Sequence, residues 1–167
     1  MKVLGVDPGS TVVGYGVVQT GTDHFAKLVE CGVLRTANDA PLPVRLRTIH
    51  DGLGELIGRH RPDCLAVEDI FYGKNARSCA ILGHARGVIL LSGEQAGIVI
   101  AEYTPATIKK AVVGRGGALK PQVGYMVAQL LRLAAPPEPA DAADGVAVAL
   151  THILKGSVAP RATTGAR

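Results

Sequence analysis

Three short apolar runs each end in an acidic residue, and this pattern sets narrow limits on the fold. Val3 to Val6 runs into Asp7, Cys64 to Val67 into Glu68, and Ile98 to Ala101 into Glu102. A strand that is apolar at nearly every position is covered on both faces, so these three read as buried central strands. Helical spacing lies between them. Leu46, Ile49, Leu53, Leu56 and Ile57 mark a helix bracketed by Pro43 and Pro62, and Ile81, Ala85 and Val88 mark another from about Asn75 to Gln95. Strands that return through helices pair in parallel. Val12 to Gln19 and Phe25 to Leu34 are β-rich and separated by Thr20-Gly21-Thr22-Asp23, the mark of a hairpin after the first strand. Thr104-Pro105 opens a short helical turn. Pro121 starts a helix with Val123, Val127, Leu130 and Leu131 on its apolar face, and a final helix spans about Ala140 to Leu154. The order β-β-β-α-β-α-β-α-α predicts an α/β chain with a mixed sheet flanked by helices.

At 167 residues the chain suits one domain, expected over 1–155, with 156–167 read as a disordered tail. An apolar share of 47% excludes disorder as the main state. The longest apolar stretch, Gly87 to Ala101, is interrupted by Ser92, Glu94 and Gln95, so no membrane span is expected. No signal-peptide pattern follows Lys2. Cys31, Cys64 and Cys79 form no CxxC pair and read as reduced thiols of a cytoplasmic protein. The five histidines lack zinc spacing.

The acids at the strand ends point to chemistry. Asp7 and Glu68 would face one crevice at the carboxyl ends of neighbouring strands, where such sheets bind ligands. Asp141 and Asp144 sit three apart in the first turn of the last helix and share a face, while a Val146, Leu150 and Ile153 stripe turns to the core. Glu102 fits the same pattern less well. Four carboxylates make an all-oxygen site that selects Mg²⁺, with Mn²⁺ as a substitute, and suits two-metal hydrolysis of a phosphodiester. Taken singly, Asp7-Pro8-Gly9 could be a turn and Asp141 a helix cap. Charge supports a polyanion partner: residues 104–134 hold five bases (Lys109, Lys110, Arg115, Lys120, Arg132) and no acid.

These residues also carry a family resemblance. Val6-Asp7-Pro8-Gly9-Ser10 with Gly14-Tyr15-Gly16-Val17 resembles the opening of the RuvC family of bacterial Holliday junction resolvases, the crossover junction endodeoxyribonucleases. Glu68-Asp69-Ile70-Phe71-Tyr72-Gly73-Lys74-Asn75-Ala76 resembles its second motif and Gly83-His84-Ala85-Arg86-Gly87 its next helix. Lys109 to Gly114, Lys120-Pro121-Gln122-Val123 and Asp141-Ala142-Ala143-Asp144-Gly145 follow in the family's order. The resemblance departs at Asp69, where the family is often neutral or Glu, and at Pro121, where Ser is common. Some members carry His in place of Asp141.

The resemblance implies a ribonuclease-H-like five-stranded fold and a homodimer that nicks a four-way DNA junction symmetrically, leaving 5′-phosphate and 3′-hydroxyl ends. It implies Asp7, Glu68, Asp141 and Asp144 as a metal-binding quartet with two Mg²⁺ per subunit, and RuvA and RuvB as branch-migration partners in recombination and repair. Phe71 would stack on an unpaired base near the crossover, beside Tyr72 and Lys74. Lys109 and Lys120 would sit near phosphates, with Lys120 reaching the scissile one; Lys110, Arg115 and Arg77 are further candidate backbone contacts. Three other readings stay open on the residues alone: a nuclease for RNA or RNA–DNA hybrids, a junction binder without activity, and an actin-like nucleotide binder. The last lacks room for a second lobe.

Overall fold

Side-chain alternation along β1 (Lys2–Asp7) divides the molecule into two cores. In the computed structural model, which describes residues 1–21, 25–70 and 75–156, β1 is the centre of a five-stranded sheet of order β3-β2-β1-β4-β5. β2 (Val12–Thr20) and β3 (Ala26–Arg35) pair antiparallel, whereas β4 (Cys64–Glu68) and β5 (Val99–Tyr103) run parallel to β1. Leu4, Val6, Leu65 and Val67 pack with Ile49, Leu53 and Leu56 of α1 (Leu42–His60) and with Ala85 and Ile89 of α2 (Ala76–Gln95). Val3, Cys64, Ala66 and Tyr103 pack on the other side with α3 (Pro105–Val113), α4 (Lys120–Leu130) and α5 (Ala140–Leu154). Helices on both faces explain why the central strands read as unbroken apolar runs.

α5 lies directly on the sheet because the strand positions beneath it lack side chains. A Cβ on Gly5 would overlap α5 at Ala149 and Gly145, one on Gly14 would strike Asp141, and one on Gly16 would strike Val146. Gly145 in turn meets the backbone of Tyr15. From Ala142 to His152 the helix is buried on nearly every side, not along the single stripe its periodicity suggested; Asp144 is the partly exposed exception. Tyr103 Oη lies 2.8 Å from His152 Nδ1 and ties the end of α5 to β5. Burial holds that histidine below its ordinary pKa.

Local chemistry moved three expected boundaries. Pro43 falls within the first turn of α1, where its missing N–H breaks no helical bond. The Thr104-Pro105 turn extends into nine helical residues, adding a helix to the expected order. Thr104 Oγ1 accepts from the Thr107 N–H at 3.2 Å to start it, and Gly114 ends it at φ 84°. β5 begins one residue late and continues through Tyr103. Among the described residues no helix is long and apolar enough to cross a membrane.

Candidate functional site

Strand parity brings the first two carboxylates together. Asp7 follows Val3 on one side of β1, and Glu68 follows Cys64 and Ala66 on the same side of β4. The register pairs Val6 with Val67, so Asp7 and Glu68 end adjacent parallel strands. Asp141 and Asp144 reach them from the start of α5. Pro139 is the cap of that helix and no side chain caps it, so the capping role for Asp141 falls away. Carboxylate oxygens of Asp7, Asp141 and Asp144 lie within 4.8 Å of one another. Glu68 stands outside that trio but lines the same cleft of about 130 Å³ with Asp7 and Asp144. Lys109 of α3 and Lys120 of α4 close it, over an apolar wall of Pro105, Ile108, Val123 and Ala147.

The site is short of positive charge. Burial and then the Asp144 charge push Asp7 up to about 7; Asp141 adds to this and Lys120 opposes it. Burial, with Asp7 and Asp144 behind it, pushes Glu68 up to about 8 against Lys120 and Lys109. Lys120 Nζ donates to Asp144 Oδ2 at 2.6 Å, and this bond is the main cause that raises its own pKa. Two ammonium groups, one of them bonded to Asp144, therefore face four crowded carboxylates, a crowding that a cation would relieve. Donors that are all carboxylate oxygens fit a hard divalent ion.

The remaining candidates separate. The register pairs Val67 with Glu102 and Glu68 with Tyr103, so Glu102 faces α2 and not the cleft. It pairs there with Arg86, which also reaches Asp69 at 3.3 Å. Lys110 turns to a separate groove with Thr107 and Lys155. Arg115 is exposed after α3, and Arg77 is exposed in the first turn of α2. Phe71, Tyr72 and Lys74 lie outside the described residues.

Two features escaped the sequence. The first is the wall built by α3 and α4. Their apolar periodicity marks buried faces but not where the helices dock. The second is Arg45 of α1. Its Nε donates to the Ser10 carbonyl at 3.0 Å and its guanidinium to Thr11 Oγ1 at 3.1 Å, clamping the turn that follows Asp7. One arginine on an amphipathic helix carries no signal of that reach.

Comparison with known proteins accords with this geometry. A family model described as Crossover junction endodeoxyribonuclease RuvC matches residues 3–152. A protein of that name from Halorhodospira halophila is 51% identical over 168 residues, covering 99% of this chain and 98% of its own. Another from Desulforamulus reducens is 46% identical over 152 residues, covering 91% and 93%. The structure described as T. thermophilus RuvC in complex with Holliday junction substrate superposes with a TM-score of 0.87 at 35% identity, covering 93% of this chain and 94% of that one.

Proposed function

This chain belongs to the RuvC family of crossover junction endodeoxyribonucleases, and on that premise we propose that it resolves four-way (Holliday) DNA junctions by Mg²⁺-dependent hydrolysis. The observation that carries the reading is the convergence of Asp7, Glu68 and Asp144 with Lys109 and Lys120 in one cleft, with Asp141 against the first and third. The nuclease unit is residues 1–155. It acts as a homodimer, whose two equal sites suit a pseudo-symmetric junction and symmetric nicks with 5′-phosphate and 3′-hydroxyl ends. Its branch-migration partners are RuvA and RuvB.

Asp7, Glu68, Asp141 and Asp144 would hold the Mg²⁺, which supplies Lewis acidity toward water and the phosphodiester when bound. Lys120 has two roles. Bonded to Asp144 it holds that carboxylate in place, and turned outward it offsets charge growing on the scissile phosphate. Lys109 supports the same phosphate path from the facing wall. The apolar wall restricts stray water. Beyond the cleft, Arg77, Lys110 and Arg115 contact the DNA backbone, and Phe71, with the DNA-binding residues Tyr72 and Lys74 beside it, stacks on an unpaired base near the crossover, a contact worth about 1–3 kcal/mol.

The test is cleavage of a mobile synthetic junction in Mg²⁺, beside linear duplex and RNA–DNA hybrid of matched sequence. Paired symmetric nicks confined to the junction are expected. Preferential cutting of the hybrid or the duplex would overturn the substrate while keeping the carboxylate chemistry.

A further inference from the structure

The pairing of β1 with β2 stops at Asp7 and Gly14. Beyond that point β2 is held on its other side alone: Val13 pairs with Leu34 and Val12 with Arg35, and the Thr36 N–H donates to the Thr11 carbonyl at 2.9 Å. Residues 8–11 therefore cross from Asp7 to β2 outside the β1–β2 ladder. Gly9 keeps the turn tight, since a Cβ there would overlap the Val12 carbonyl. Among the described residues, the side chains that bond to this turn are Arg45 and Thr36. Arg45 Nε donates to the Ser10 carbonyl at 3.0 Å and to Thr36 Oγ1 at 3.3 Å. A second nitrogen of its guanidinium donates to the same carbonyl and to Thr11 Oγ1, the latter at 3.1 Å. Thr36, buried behind the turn, donates its hydroxyl to the Ser10 carbonyl at 3.2 Å. Among the described residues no carboxylate forms an ion pair with Arg45. All of its hydrogen bonds go to the turn and to the threonine behind it.

We infer that Arg45, acting with Thr36, is a positioning residue for the Asp7 carboxylate: it fixes the 8–11 turn and with it the end of β1 that carries Asp7. The inference rests on the metal-site reading of the four carboxylates and adds to it a residue that touches neither metal nor DNA. Bonds from a charged donor are about twice as strong as neutral ones, and a planar guanidinium fixes the direction of the carbonyl it holds. The place that is held matters for the site. Gly14, the partner of Asp7 in the ladder, lies against the backbone of Asp141, where a Cβ would overlap the Asp141 carbonyl. A turn free to shift would therefore move Asp7 relative to Asp141 and Asp144. Metal ligands tolerate departures of about 0.2 Å from their proper distances. Groups that support ligands from behind are accordingly worth about 10–100-fold in metal affinity or activity.

The experiment measures Mg²⁺ affinity by calorimetry on the full chain without DNA, beside junction binding in chelator across a range of salt. Arg45→Ala is expected to weaken Mg²⁺ binding about tenfold and to leave junction affinity and its salt slope unchanged. Arg45→Lys keeps a charged donor but not the fork, and falls between Arg45→Ala and the parent. Thr36→Val removes the hydroxyl at nearly constant volume and weakens Mg²⁺ binding in the same direction. Combined with Arg45→Ala it adds little, because both side chains act on the Ser10 carbonyl. Melting curves establish which variants fold; if Arg45→Ala does not, Arg45→Lys and Thr36→Val decide. Variants that melt lower but bind Mg²⁺ as the parent does would make the clamp purely structural and overturn the inference. A flattened salt slope with unchanged Mg²⁺ affinity would make Arg45 a phosphate contact and overturn it equally. Either result leaves the resolvase reading standing. A parent that binds Mg²⁺ no better than Asp7→Asn removes the metal-site reading and the inference with it.

Discussion

Asp7 and Glu68 reach pKa values of about 7 and about 8 in the folded protein, against about 4 in an unfolded chain. Carboxyls raised in this way bind more protons folded than unfolded between those limits. Their contribution to stability is therefore highest below about pH 4 and is lost as pH rises through about 7 to 8. Removing one of the crowded charges should relieve the loss. Asp7→Asn is expected to abolish cleavage, to keep junction binding, and to melt a few degrees above the parent at pH 8 in chelator, at about 2–4 °C per kcal/mol. A lower melting temperature with folding intact would mean that Asp7 is not under electrostatic pressure. The same linkage governs the metal. A divalent ion must displace the protons held at low pH, so the thermal shift produced by Mg²⁺ should be small at pH 5.5 and grow through pH 8.5. Calorimetry across that range with equal Mg²⁺ checks it, and a shift that shrinks with rising pH would contradict it.

Between elements, the contact of α5 with β1 and β2 decides where two of the four carboxylates stand. Gly16→Ala would press a methyl group into Val146, so it should cost about 1–3 kcal/mol and slow cleavage by displacing Asp141 and Asp144 together. Gly54→Ala is the contrasting change. Gly54 lies inside α1 with nothing within 4 Å of an added Cβ, so alanine should stabilise by about 0.5–1 kcal/mol. Urea unfolding of both variants separates the two kinds of glycine, and equal effects would remove the packing argument. The sequence shows both as Gly and cannot separate them, because the overlap arises only when a distant helix lands on the strand. The strands were more legible. Apolar runs ending in acids placed Asp7 and Glu68 correctly because period-two alternation carries each onto the α5 side. Glu102 fitted that pattern less well, and the register gives the reason. β5 is set so that Tyr103, not Glu102, stands beside Glu68, and a one-residue difference in register puts a side chain on the opposite face.

For the molecule as a whole, the formal charge of +4 matters less than where the bases of residues 104–134 come to lie. Sequence shows them as one basic segment; folding sends them to different surfaces. Lys109 and Lys120 enter the carboxylate cleft, Lys110 faces the groove with Lys155, and Arg115 is exposed beyond α3. This division predicts two kinds of variant. Each phosphate contact that releases counterions contributes about −0.9 to the slope of log affinity against log salt on duplex DNA. Lys110→Ala and Arg115→Ala should each weaken junction binding and flatten that slope by about one contact, acting through affinity. Lys120→Ala should instead act mainly on the chemical step. It removes the bond to Asp144, deepens the charge imbalance that already raises Asp7 and Glu68, and withdraws a cation from the reacting phosphate. A loss of about 10²-fold in the single-turnover rate is expected, by comparison with the removal of a single charge-stabilising donor in other active sites. Salt titrations of binding, run beside single-turnover cleavage at saturating protein, distinguish the two. If Lys120→Ala only flattened the salt slope while Lys110→Ala slowed the saturated rate, the cleft would be misplaced and the catalytic wall would lie on the other side of α3.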